Sequence, residues 1–267
     1  MTTGKTMPTA DIADANMLES IREHARWQEP CECVEEGGLL MVAGPNAFPI
    51  GYRNCAARVD RNVPARDVLE RAREFFGRRG RGFAVLVGTG RDEDLESVLQ
   101  PAGLRQRMDI PRMLIEGPIP EAPLPPDVRI ERFEEERHVR DAVGINAEAY
   151  QMNRLPPEEA RLFFGRPGEV LSSRVTGYVA YRGDRPLSTA MTIHSDPGAG
   201  VYWVGTIANA QRSGLGTLCT RLATNAGFSR GASVVTLQSS PFGEPVYRRL
   251  GYRTYGRLKW YVHSAPA

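Results

Sequence analysis

The stretch from Val201 to Tyr252 constrains this chain more than any other, because it sets the order strand, glycine turn, helix, strand, helix. Val201-Tyr202-Trp203-Val204-Gly205-Thr206-Ile207-Ala208 is apolar and rich in β-branched and aromatic residues, which predicts a buried strand. Gln211-Arg212-Ser213-Gly214-Leu215-Gly216 then turns the chain into a helix from Thr217 to about Phe228, where Leu218, Leu222 and Phe228 share an apolar face. A second apolar run, Val234-Val235-Thr236-Leu237, follows, and Pro245-Val246-Tyr247-Arg248-Arg249-Leu250-Gly251-Tyr252 closes the stretch. Gly214 and Gly216 carry no side chains to keep a ligand off the backbone. The amides of Arg212 through Thr217 are free to point at an anion, the helix dipole favours negative charge there, and Arg212 adds a positive one. Taken alone, the turn is equally compatible with an unliganded glycine turn.

Two familiar phosphate motifs are excluded. The turn Gln211 to Gly216 carries no Gly-Lys-Ser/Thr and lacks the first glycine of the dinucleotide fingerprint. The turn does fit Q/R-x-x-G-x-G/A, and Tyr247-Arg248-Arg249-Leu250-Gly251-Tyr252 is close to Y-x-x-x-G-F/Y. Together these motifs resemble the acetyl-CoA-binding core of the GCN5-related N-acetyltransferase (GNAT) superfamily, over about Val128 to His263. The resemblance implies that the turn holds the CoA pyrophosphate and that the strand before it splays to receive the pantetheine arm. It also implies that Tyr247 is the general acid toward the CoA sulfur. Cofactor contacts are expected from Val204, Gly205, Thr206, Gln211, Arg212, Ser213, Gly214, Leu215, Gly216 and Thr217. Ser240 stands seven residues before Tyr247, where the family often has an asparagine.

Flanking segments extend the pattern. A helix is expected over 10–28, strands over 38–43 and 48–58, a helix from Val68 to Phe76, and a strand within Gly82 to Gly88. A short helix from Leu95 to Leu99 and a strand near Met113-Leu114-Ile115 complete the first part. Residues 117–126, rich in proline, read as a linker. Beyond it come strand Val128 to Ile130, a helix near Glu135 to Tyr150, a helical turn over Glu158 to Phe164, and strands over Thr176 to Tyr181, Leu187 to His194 and Val201 to Thr206. Helix, strand, helix, glycine and strand recur in both halves, with Leu99 where Tyr247 sits, but Arg58 to Pro64 contains no glycine before the first-half helix. The expectation is an α/β chain of tandem GNAT-like domains. Each would have a mixed, mostly antiparallel sheet flanked by helices, with a degenerate half at 1–116 and an acetyltransferase half at 127–267.

The chemistry expected is direct acetyl transfer from acetyl-CoA to a primary amine in a ternary complex. A backbone amide of the Val204–Thr206 region would polarise the thioester carbonyl, and the Tyr247 phenol, protonated at neutral pH, would supply a proton to sulfur. No glutamate lies between Val201 and Ala210, so the base is open. His194, Glu148 and Glu169 are candidates, each weighed against a hydrogen-bonded or solvated role. Tyr150, Met152, Phe163, Phe164 and Trp203 could line an acceptor site, although a core role is the better reading of each singly. The alternatives are a non-catalytic CoA-binding sensor and a mycothiol-synthase-like enzyme acting on an amino-sugar thiol precursor.

Composition narrows the partners. A net charge of +2 implies neither nucleic acid nor membrane surface, and Lys5 and Lys259 are the only lysines. No apolar run approaches membrane-spanning length and Met1 to Ala15 has no export core, so a cytoplasmic setting is expected. Cys31, Cys33, Cys55 and Cys219 are expected to be free thiols, and no metal site is expected. The expected partner is a small-molecule or protein amine, with a homodimer left open.

Overall fold

In the computed structural model, residues 7–47 and 52–264 are described. The first half runs α1 (Thr9–Trp27), β1 (Glu32–Glu36), β2 (Leu39–Ala43), β3 (Asn54–Arg58), α2 (Ala65–Gly77), β4 (Phe83–Gly88), α3 (Glu93–Leu99) and β5 (Arg105–Ile115). The second runs β6 (Arg129–Arg132), α4 (Glu136–Ala149), α5 (Pro157–Leu162), α6 (Pro167–Val170), β7 (Val175–Arg182), β8 (Arg185–Ser195), β9 (Gly198–Thr206), α7 (Leu215–Ser229), β10 (Val234–Gln238), α8 (Glu244–Arg249) and β11 (Arg253–His263). The repeat expected from sequence is present: α2–β4–α3–Gly103–β5 matches α7–β10–α8–Gly251–β11, and both glycines adopt positive φ (+87° and +98°) as they turn a short helix into the last strand.

One feature differs from a pair of domains joined by a linker. All strands form a single sheet in the order β1-β2-β3-β4-β11-β5-β10-β9-β8-β7-β6. The final strand of each half lies in the sheet of the other, β11 against β4 and β5 against β10, and β5 and β11 pair with each other at the centre. The order is therefore palindromic about β5/β11. Among the described strands, only β3/β4 and β9/β10 are parallel. The proline-rich segment is also fixed: Asn225 of α7 bonds both the amide and the carbonyl of Ile119, at 2.8 Å each.

Helix α1 extends beyond its own half. Met17, Leu18 and Ile21 cover Leu40, Val42, Cys55, Ala57, Ala84 and Leu86 on one face of the first-half strands. Its start packs Ile12 and Ala13 against Leu114 and Val234. The opposite face of the first half is closed by α2, through Val68, Leu69, Ala72, Phe75 and Phe76. In the second half α7 covers the face opposite α1: a Cβ on Gly227 would reach Ala199 and Val235, whereas one on Gly200 would strike Asn16. Strand β1, which the apolar pattern did not mark, is an exposed edge whose charged residues pair with β2. Of the expected strand 48–58, Asn54–Arg58 is observed and 48–51 lies outside the described residues. Most remaining strands and helices are longer than expected, with α7 starting at Leu215 and β11 at Arg253, whereas β2 and α4 are slightly shorter than expected.

Candidate functional site

Strands β9 and β10 pair only over Gly198–Gly200 and Val234–Thr236, and then part. The cause lies in β9. Its register with β8 passes from Met191↔Tyr202 to Thr189↔Gly205, so Trp203 and Val204 together oppose Ala190. This is a β-bulge, and Trp203 takes φ +52°, an uncommon backbone for a large side chain. Helix α1 holds it: the Trp203 indole N–H donates to His24 Nε2 at 2.7 Å, and the other imidazole nitrogen donates to the Ser20 carbonyl at 2.5 Å. Burial pushes His24 down to about 4, keeping the ring neutral, as an acceptor of the indole proton must be. Next to it, the Tyr202 hydroxyl donates to Asn16 Oδ1 at 2.9 Å. After the bulge, Gly205 lies against α4 where any Cβ would collide with Asn146 Oδ1.

The turn after β9 has the form expected of an anion seat. Gly214 caps α7 with φ +85° and open space around it, and Arg212 also takes positive φ, at 60°. None of the amides from Arg212 to Thr217 donates to a described carbonyl, so the helix N-terminus presents free donors. A Cβ on Gly216 would press on Thr206 Oγ1 at 3.0 Å, narrowing the gap between turn and strand.

A cavity of about 670 Å³ joins these parts. It is lined by Val204, Gly205, Thr206, Gln211, Arg212, Gly214, Gly216, Thr217, Ser240 and Tyr247, ten residues the sequence pointed to. Ser213 and Leu215 are not in the lining. Ser213 Oγ donates to the Ala210 carbonyl at 2.5 Å and Leu215 is a core residue, leaving only their amides to the turn. Ser240 Oγ accepts from the Gly243 amide at 3.2 Å while facing the cavity. The Tyr247 phenol, pushed up to about 12 by loss of solvation, is hydrogen-bonded to no described residue. Its ring packs against Gly243 and Tyr252.

The acceptor and base candidates separate. Tyr150 and Met152 line the cavity, whereas Phe163, Phe164 and Trp203 are buried around His24 and Trp27. His194 lies in a different, smaller cavity with Arg174 and Arg230, and its Nε2 is 2.9 Å from Thr176 Oγ1. Burial pushes it down to about 4. Glu148 is exposed and accepts from the Ala208 amide at 2.7 Å; Glu169 is exposed on α6. The sequence reading did not anticipate Asn153, Phe242 and Arg249 in the lining, nor the hold of α1 on the bulge. The first three sit beside elements already marked; His24 is 179 residues from Trp203 and carries no local signal.

No protein-family model matches the sequence, and no curated protein matches it. Solved structures do resemble it. A GCN5-related N-acetyltransferase from Kribbella flavida aligns at 22% identity over 98% of both chains with a TM-score of 0.71. A tandem GNAT protein from the clavulanic acid biosynthesis pathway aligns at 13% identity over 95% of this chain and 96% of its own, TM-score 0.63. A GCN5-related N-acetyltransferase from Sphaerobacter thermophilus aligns at 14% over 97% and 93%, TM-score 0.60. What these share with the present chain is the fold.

Proposed function

We propose that this chain, which has the tandem GNAT fold, binds acetyl-CoA in its second half and transfers the acetyl group to a primary amine. The observation that carries the reading is the convergence of three elements on one cavity: the parted end of β9, the glycine turn capping α7, and Tyr247 of α8. The bound cofactor would supply an activated acetyl thioester. Amides of Arg212 through Thr217 and the Arg212 guanidinium would hold its pyrophosphate. Val204 to Thr206 and Ser240 would flank the pantetheine arm, with a β9 amide donating to the thioester carbonyl oxygen as charge develops there. Tyr247 would protonate the departing sulfur; a phenol held near 12 retains its proton at neutral pH and has no partner competing for it. The first half, residues 1–116, is read as the half that binds no cofactor, and 127–267 as the binding half.

The test is calorimetric titration of the whole protein with acetyl-CoA, repeated with Gly214→Glu, followed by an amine screen with Tyr247→Phe as control. One site per chain, lost in Gly214→Glu, is expected. Absence of binding to the wild type rejects the proposal, and binding without turnover of any amine reduces it to a CoA sensor.

A further inference from the structure

The cofactor reading accounts for half of the cavity lining and leaves, among others, Ala149, Tyr150, Met152, Asn153 and Phe242. Resting on that reading, we infer that the acceptor is a weakly basic primary amine on an apolar, aromatic-sized body, of the aniline class, rather than a polyamine or an aminoglycoside.

Charge is the first argument. Among the described residues lining the cavity there is no aspartate, glutamate, histidine or lysine; the only ions are Arg212 and Arg249. The stretches 1–6, 48–51 and 265–267 contain no acidic residue or histidine in their sequence either. The acids adjacent in sequence to the lining are Glu148, which accepts from the Ala208 amide, and Glu244, which is paired with Arg248 along α8. A strongly basic amine with a pKa near that of lysine is neutral in roughly one molecule in a thousand at pH 7. It needs a base to unmask it and a carboxylate to pair any second ammonium, and a buried ammonium without a partner is strongly disfavoured. Two arginines add repulsion to any polycation. A weakly basic amine arrives neutral, with its lone pair available, and makes neither demand.

The second argument is the exposed apolar part of the lining. Met152 is 52% exposed and Phe242 65% exposed, and they are two of four exposed large hydrophobic side chains among the described residues. They come from separate segments, the turn Tyr150–Asn153 and the loop between β10 and α8, and line the same cavity. Exposed apolar side chains in a cavity lining favour a ligand with an apolar face, and Tyr150 belongs to the same lining.

The proton count closes without a protein base. The amine nitrogen forms the bond to the acetyl carbon, and the carbon–sulfur bond breaks with its electron pair passing to sulfur. Tyr247 gives sulfur a proton and is reprotonated by the one leaving nitrogen through solvent. Amine plus thioester become amide plus thiol.

The experiment runs substituted anilines, spermidine and kanamycin in parallel with acetyl-CoA, following thiol release and amide mass. Titration of the protein–CoA complex with each amine reads binding apart from turnover. Anilines are expected to show kcat/KM about 100-fold or more above spermidine, with a pH dependence that follows the pKa of each aniline. Met152→Asp is expected to weaken aniline binding about tenfold and improve spermidine, with acetyl-CoA affinity unchanged. Phe242→Ala should weaken aniline binding alone. Preferential turnover of spermidine or kanamycin overturns the inference while leaving the acetyltransferase reading intact, as does failure of anilines to bind a protein that binds acetyl-CoA. Failure to bind acetyl-CoA removes both.

Discussion

The two parallel strand pairs of this sheet, β3/β4 and β9/β10, occupy equivalent places on either side of the central β5/β11 pair and have opposite contents. Beyond the three paired residues of β9/β10 the strands open into the cavity. Beyond the three of β3/β4 the next residue, Arg58, fills the place. Its guanidinium is buried, bonds Asp92 at 3.1 Å and Asp94 at 2.5 and 2.8 Å, and reaches the carbonyls of Val63 and Arg91. The helix that follows is capped by Pro64, which has no N–H to offer, where α7 has Gly214. A phosphate approaching the first half would meet two carboxylates and no free glycine turn. The same strand–helix frame thus carries an open cavity in one half and a closed structural core in the other, and a few residues at the strand end decide which.

Four experiments would break or sharpen this comparison. Arg58→Ala should have the largest effect, a loss of about 3 kcal/mol in stability by denaturant titration, because the hydrogen bonds of a buried guanidinium go and buried Asp92 keeps only Arg91, at 3.5 Å, and the Gly88 amide. Acetyl-CoA affinity measured on the folded variant should hold, and a gain of a second site would show the plug alone had closed the first half. Gly214→Glu should lower acetyl-CoA affinity about 100-fold, roughly 2.7 kcal/mol, by placing charge and bulk at the phosphate seat. The same titration with Val63→Glu should leave affinity unchanged. Tyr247→Phe should lower kcat about 30-fold, roughly 2 kcal/mol, with acetyl-CoA affinity preserved. Since this phenol is held near 12, no alkaline loss of kcat from it is expected below about pH 11; a descending limb centred near 8 would assign the acid elsewhere.

The smallest effect concerns the tie between halves. His24→Leu removes the acceptor for Trp203 and should lower kcat about tenfold, roughly 1.4 kcal/mol, without loss of acetyl-CoA binding. Trp203→Phe should do the same, and the double variant no more than either. The acid limb of stability gives a second readout. His24 and His194 both stay neutral when folded down to about 4, while the unfolded imidazoles protonate near 6.5. Stability should therefore be fully present above about 6.5 and fall as pH drops toward 4, by about 1 kcal/mol per unit for each histidine. His24→Leu should flatten part of that slope.

The second-half frame was legible because its signals are local. Gly214 and Gly216 in one turn, Val201 to Thr206 before it and Tyr247 to Tyr252 after it each declare themselves within a few residues, and ten of twelve expected site residues line one cavity. The contrast between the two turns was legible for the same reason, through the missing glycine between Arg58 and Pro64. Residues that act across the chain were not. Nothing near Arg58 announces that its guanidinium would close a cleft, and nothing near His24 announces a partner on β9.

The chain alone determined the tandem repeat, the glycine turn and the tyrosine, since backbone freedom, apolar periodicity and motif spacing are properties of neighbouring residues. Only the tertiary structure decided that the halves exchange their last strands, that α1 holds the bulge parting β9 from β10, and that the described residues lining the cavity include no carboxylate. Those are matters of which distant residues the sheet brings within hydrogen-bonding or packing distance. Pairing across a sheet is set by the competition among all strands for partners, which no single segment encodes.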